Sequence, residues 1–175
     1  NQEHWLVDED GRRLPFGATG ELVVRGSHVM RGYWKRPAET AQRLRPGAIE
    51  GEKVLHTGDL FRTDTDGYLY FVARLDDIIK TRGEKVAPRE VEDVIHRIED
   101  VTGCAVVGVP DAALGEAVKA YVTLREGSKL APRDIVRHCL GLLENHMAPQ
   151  SVEIVDTLPQ TESGKVRHAE LRARQ

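Results

Sequence analysis

Cysteine is scarce in this sequence, with two among 175 residues, so a disulfide framework is excluded as the basis of the fold. Cys104 lies in a strand-like run and Cys139 on a helix-like stripe, and both are expected as buried free thiols in a reducing compartment. Net charge is nearly absent. Charged residues make up 30% of the chain but sum to −3 and form no long run of one sign, so the basic footprint of a nucleic-acid binder is missing. Long hydrophobic runs are missing too: Cys104-Ala105-Val106-Val107-Gly108-Val109 is far too short to span a bilayer, and the start lacks a basic-then-apolar signal pattern. The expectation is a soluble, cytoplasmic protein with no membrane span. Seven histidines, His138 and His146 among them, are scattered without the clustered spacing of a zinc site, so no metal site is expected. Repeats and low-complexity segments are absent. The chain opens on Asn1 in sequence that reads as mid-domain, as a piece of a longer protein would.

What is present is an ordinary globular composition, 40% hydrophobic, with room for one domain or two small ones. Three glycine-punctuated pieces come first: His4 to Val7, Gly20 to Arg25 and Val54 to Val72. Glu21-Leu22-Val23-Val24-Arg25 is short, rich in β-branched residues and bounded by glycines, which predicts a strand. Asp8-Glu9-Asp10-Gly11 and Asp64-Thr65-Asp66-Gly67 predict hairpin-type turns, because aspartate and glycine both suit turn geometry. Residues 1 to about 73 therefore read as mostly β. After Asp76 the pattern changes. Pro88 suits a first helical turn, and Val91, Val94, Ile95 and Ile98 fall on one stripe. Strands are predicted at 104–109 and 118–124. A second helix opens at Pro132 with Ile135, Val136, Cys139, Leu140 and Leu143 facing inward, and a short strand follows from Ser151 to Val155. The β-α-β-β-α-β order makes a compact α+β unit with helices packed on one sheet, and its boundary is expected near Leu75-Asp76.

Four segments in fixed order carry more specific information. The first is Gly20-Glu21-Leu22-Val23-Val24-Arg25-Gly26, continuing to Arg31-Gly32-Tyr33-Trp34-Lys35-Arg36-Pro37. The second is His56-Thr57-Gly58-Asp59-Leu60, followed by Gly67-Tyr68. The third runs from Arg74 through Lys80, Arg82-Gly83-Glu84 and Ala87-Pro88-Arg89-Glu90-Val91-Glu92. The fourth is Leu158-Pro159-Gln160-Thr161-Glu162-Ser163-Gly164-Lys165. Ordered and spaced over almost the whole chain, they resemble the C-terminal motifs of the adenylate-forming superfamily. That superfamily groups acyl-CoA synthetases, adenylation domains of nonribosomal peptide synthetases and luciferases.

The resemblance implies an α+β fold: residues 1–75 as the β-rich remnant of a large domain and 76–175 as a small, mobile catalytic lid. It implies that Asp59 accepts hydrogen bonds from the ribose hydroxyls of ATP, since a carboxylate has two acceptor oxygens. Arg74 would contact the ribose or phosphates through its forked donors. Asp76 matches a hinge about which the lid rotates. In the family, the loop from Lys80 to Val86 swings in for the second half-reaction, with Arg82, Gly83 and Glu84 in its turn. Gly83 would leave room beside a pantetheine arm, and Lys80 matches a lysine tied to that step. Lys165, approached through a flexible Ser163-Gly164, would stabilise charge between the acid carboxylate and the α-phosphate. The sequence departs from the family pattern at Ala73, Gln160 and His168, where glycine, a basic residue and arginine are frequent.

The implied reaction has two steps, in which a carboxylic acid and MgATP give an acyl-adenylate and pyrophosphate, and a thiol then displaces AMP. Neither the Gly/Ser/Thr-rich phosphate loop ending in lysine nor a Tyr-Gly-x-Thr-Glu segment occurs here. ATP, magnesium and the acid would therefore be held mainly by an N-terminal domain, without which these residues are expected to be inactive. Ala87 to Glu92 resembles the acyl-CoA synthetase version of its motif, which points to coenzyme A as acceptor. The phosphopantetheine of a carrier protein is the alternative acceptor. A non-catalytic interaction module acting in trans is the reading from a different class.

Overall fold

The computed structural model describes residues 2–174, and these cluster into two compact units that divide in sequence between Asp76 and Asp77. The protein is α+β, with a five-stranded sheet in each unit. No helix among the described residues is long and apolar enough to cross a membrane.

The first unit comprises β1 (Gln2–Val7), β2 (Thr19–Gly26), α1 (Pro37–Arg43), β3 (Leu44–Pro46), β4 (Lys53–Thr63) and β5 (Leu69–Arg74). Its antiparallel sheet runs β1-β2-β4-β3, with β5 also on β4. Val23 and Val24 of β2 are both buried, and Val23 packs with Val7, Val54 and the half-buried Trp5. The two Asp-x-Asp-Gly turns share one device: Asp8 Oδ1 accepts the amides of Asp10 and Arg12, and Asp64 Oδ1 accepts those of Asp66 and Tyr68. Asp64 to Gly67 joins β4 to β5 as a hairpin. The Asp8 turn instead leads to a bridge between Val7 and Arg13, and β2 begins only at Thr19. A mostly β reading of this region also overlooked α1. Its seven residues bury no side chain, so no apolar stripe announces it, and Pro37 at the first turn is its one local signal.

The second unit comprises β6 (Ile79–Thr81), β7 (Glu84–Val86), α2 (Pro88–Ile95), β8 (Val101–Asp111), β9 (Gly115–Leu124), α3 (Pro132–Leu140), β10 (Ser151–Ile154) and α4 (His168–Arg172). Its sheet is mixed, running β10-β9-β6-β7 with β8 on β9, and β10 alone is parallel to its neighbour. Residues Cys104 to Gly108 are buried without a break because both faces of β8 are covered. Cys104 and Val106 point to the face under α2 and α3, where Val91, Val94, Ile95, Ile135 and Cys139 also lie. Ala105 and Val107 point to the opposite face, with Tyr121 and with Leu171 of α4. Helices therefore cover both faces of the sheet, α4 being the element that periodicity did not reveal. Asp134 helps start α3 by accepting the Ala131 amide at 3.2 Å.

Two predicted stripes ran past their helices. Ile98 and Leu143 lie beyond the ends of α2 and α3 yet still pack on the core. Leu140, expected inside, is 48% exposed, because α3 ends there and the chain turns away at Gly141. Cys104 and Cys139 are both buried free thiols. Burial raises both thiol pKa values, that of Cys139 to about 11, so neither is a thiolate at neutral pH.

Candidate functional site

In the first unit the chemistry gathers along β4. Residues 53–55 of this strand pair with β3, and residues 59–63 pair with β5, so the strand changes partner across His56-Thr57-Gly58. On its other edge the register with β2 jumps from Val23↔His56 to Glu21↔Leu60. The segment bulges there, and Gly58 takes a left-handed φ of 72°. Asp59 thus sits inside a long strand, at a bulge. A bulge re-aims the side chain that follows it, and Asp59 lies directly across from Arg74. Arg74 Nη1 donates to Asp59 Oδ1 at 2.7 Å, with the two side chains 45% and 27% exposed.

Three further residues complete this region. Glu21 Oε1 accepts the Gly58 amide at 2.9 Å, and Glu21 Oε2 lies 2.8 Å from His56 Nδ1, with both side chains largely buried. Arg43, from the end of α1, packs its guanidinium on Gly58, where an added Cβ would lie 1.9 Å from Nη1. Arg43 Nη2 also reaches Asp76 Oδ2 at 3.1 Å, so the predicted hinge aspartate is one half of an ion pair. Glu21 and His56 stand in motif segments but carry no sequence signal of their contacts. Arg43 stands in none, and its role depends entirely on where α1 ends.

In the second unit, Lys80, Arg82, Gly83 and Glu84 share the β6–β7 hairpin. The turn proper is Arg82-Gly83, with φ of 54° and 82°, while Glu84 opens β7 rather than lying in the turn. Two consecutive positive φ values mark the tight hairpin turn whose twist suits the flanking strands. The Arg82 amide donates to Leu114 O at 2.9 Å, and the Lys80 amide donates to Glu116 Oε2 at 2.7 Å, so the backbone is anchored. Lys80 lies across from Lys85, and both are exposed.

Lys165 is exposed on a separate turn, and that turn is not the flexible approach expected of Ser163-Gly164. The Thr161 amide donates to Lys165 O at 2.8 Å, the Gly164 amide to Thr161 O at 2.9 Å, and the Lys165 amide to Thr161 Oγ1 at 3.1 Å. Just beyond it, α4 is fastened on several sides. The hydroxyl of buried Tyr121 reaches Leu171 O at 3.2 Å, and Arg172 pairs with Asp77 at 2.6 Å. His168 Nε2 lies 3.6 Å from Glu92 Oε1, which itself accepts the Val106 amide at 2.9 Å. The Glu92 carboxylate holds the His168 pKa above its ordinary value, outweighing the lowering effect of burial. Among the described residues no three His, Cys, Asp or Glu side chains converge as a metal site.

Residues 90–165 match the family of the AMP-binding enzyme C-terminal domain. The chain is similar to the C-terminal part of adenylate-forming enzymes. It is 41% identical to a feruloyl-CoA synthase of an Amycolatopsis species, over 97% of this chain and 33% of that protein. It is also 41% identical to a long-chain-fatty-acid–CoA ligase of Yersinia pestis, over 95% of this chain and 28% of that one. Among solved structures, ATP-bound MatB from Rhodopseudomonas palustris superposes with a TM-score of 0.89 at 33% identity, over 98% of this chain and 33% of that chain. The chain thus spans about a third of the length of such relatives.

Proposed function

We propose that these residues form part of an acid:thiol ligase that activates a carboxylic acid with ATP and passes the acyl group to coenzyme A. The Asp59–Arg74 pair carries the reading: a carboxylate and a guanidinium 2.7 Å apart, beside the bulge of β4. Arg74 engages Oδ1 of Asp59, and the second oxygen can accept from ribose hydroxyls while the rest of the guanidinium donates to ribose or phosphate oxygens. The relatives named above as CoA synthase and CoA ligase, and the ATP named with the superposed structure, support the same substrates.

In the first step the acid's carboxylate oxygen attacks the α-phosphorus and pyrophosphate leaves, giving the acyl-adenylate. Negative charge builds on the oxygens around the α-phosphorus, where the ammonium of Lys165 would offset it. The hydrogen-bonded turn beneath Lys165 lowers the ordering cost of that delivery. In the second step the thiol sulfur attacks the acyl carbon and AMP leaves as the thioester forms. The Lys80–Val86 hairpin, with Arg82-Gly83 at its tip and Glu84 following, would line the path of the pantetheine arm. A left-handed Gly83 without a side chain permits close approach there. Asp76 would be the hinge between the two poses. Magnesium would enter with ATP and be held, like the acid, mainly by an N-terminal domain.

Acid-dependent pyrophosphate exchange on the full-length protein, with Lys165→Ala beside it, tests this reading. Exchange in the wild type that collapses in the variant is expected; unchanged exchange in the variant would overturn the role of Lys165, and no exchange with any acid would favour a binding module instead.

A further inference from the structure

The Gly20–Gly26 segment has no part in the two proposed steps, yet its glutamate contacts both His56 and the Gly58 amide at the bulge of β4. We propose that Glu21 is a positioning residue for Asp59: its carboxylate supplies the hydrogen-bond partners that the bulge of β4 removes, and so fixes where Asp59 points. The proposal rests on the ribose-binding role given to Asp59.

The accounting of backbone groups leads to it. A strand that bulges loses ladder partners, and buried amides and carbonyls left unpaired are costly. Between Val23↔His56 and Glu21↔Leu60, one residue of β2 faces residues 57–59 of β4, and on the far edge β3 and β5 leave residues 56–58 unpaired, so Thr57 and Gly58 lack a ladder partner on both edges. Side chains meet the shortfall. The Thr57 hydroxyl donates to Leu22 O at 2.8 Å and accepts the Asp59 amide at 3.1 Å. Glu21 accepts the Gly58 amide through one oxygen and meets His56 Nδ1 through the other. Both the Glu21 and His56 side chains are about nine-tenths buried, at 12% and 10% exposure, so this is an interior clamp rather than a surface pair. Arg43 closes the opposite side of Gly58. The Gly58 peptide is therefore held by its amide and covered on its Cα, one residue before Asp59.

The geometry specifies a carboxylate at the end of a two-methylene arm. Glu21→Asp keeps the charge but withdraws it from Gly58. Glu21→Gln keeps an oxygen for the Gly58 amide and offers a donor to His56 Nδ1 in its neutral tautomer. In the full-length protein, Glu21→Asp is expected to raise KM for ATP about tenfold with kcat at saturating ATP little changed, while Glu21→Gln stays within about threefold of wild type. Adding Glu21→Asp to Asp59→Ala should cost less than about twofold more, because the carboxylate being positioned is gone. An unchanged KM for ATP in Glu21→Asp, or a full tenfold loss on top of Asp59→Ala, would overturn the proposal. A second readout needs no activity. The Gly58 amide should resist hydrogen exchange in the wild type and exchange at least about tenfold faster in Glu21→Asp. Equal protection in the two overturns the clamp. A protected Gly58 that Glu21→Asp releases, in a protein with no acid-dependent exchange of pyrophosphate, upholds the clamp and overturns the ligase reading instead.

Discussion

The two units present their candidate side chains in opposite ways. In the first, Asp59 and Arg74 neutralise each other, and their neighbours Glu21, His56, Arg43 and Asp76 are all engaged. In the second, Lys165 and Lys80 extend from turns whose backbones are fastened while the side chains stay exposed. On the proposed reading the first arrangement suits recognition, because a prearranged donor–acceptor pair would offer fixed geometry to a ribose at little reorganisation cost. The second suits charge delivery: a long cation on a rigid base keeps its reach and its hydration until the negative charge it serves develops.

If that contrast holds, Lys165 carries the largest effect. Lys165→Ala should lower kcat for acyl-adenylate formation by about 10²- to 10³-fold, the scale of a lost transition-state donor, with KM for ATP little changed. Asp59→Ala should do the reverse, raising KM for ATP about tenfold or more with a smaller effect on kcat; matching kcat losses in the two variants would erase the distinction. Gly83→Val sharpens it within the second unit. A β-branched residue at a φ of 82° is expected to cost about 1–3 kcal/mol of stability. Thioester formation should slow while pyrophosphate exchange remains, as measured by supplying preformed acyl-adenylate.

The smallest effect concerns pH. His168 is faced by Glu92 on α2, by Asp77 and by Arg172, and its pKa is raised chiefly by Glu92. A pKa above that of the unfolded chain means the pair stabilises fully below about pH 6.5 and loses its contribution as pH rises through the folded value. The denaturation midpoint of the wild type should therefore exceed that of His168→Gln at about pH 5.5, and the gap should close by about pH 8.5. A gap that widens with pH would show that Glu92 does not govern this histidine.

Much of this was legible in local pattern. A β-branched run between glycines located β2, alternating apolar residues located β9, the stripes after Pro88 and Pro132 located two helices, and Gly83 marked the hairpin turn because few other residues tolerate its φ. Four ordered motifs single out Asp59, Arg74, Lys80 and Lys165 as candidate site residues. Other features were not legible, for stated reasons. Leu140 fits its helical stripe and is nonetheless exposed, since periodicity does not say where a helix stops. The short α4 has too few turns to show a period, yet its Leu171 fills the far face of the second sheet.

What the sequence determined by itself was the kind of element each segment forms and the chemistry its motif residues can perform, because both depend on neighbours within a few residues. The tertiary structure decided which residues serve them. Glu21 meets Gly58 across 37 residues, and Arg43 meets Asp76 across 33. Such contacts follow from strand register and from where a helix ends, and a bulge that unpairs three residues of β4 has no local signature in the residues that satisfy it.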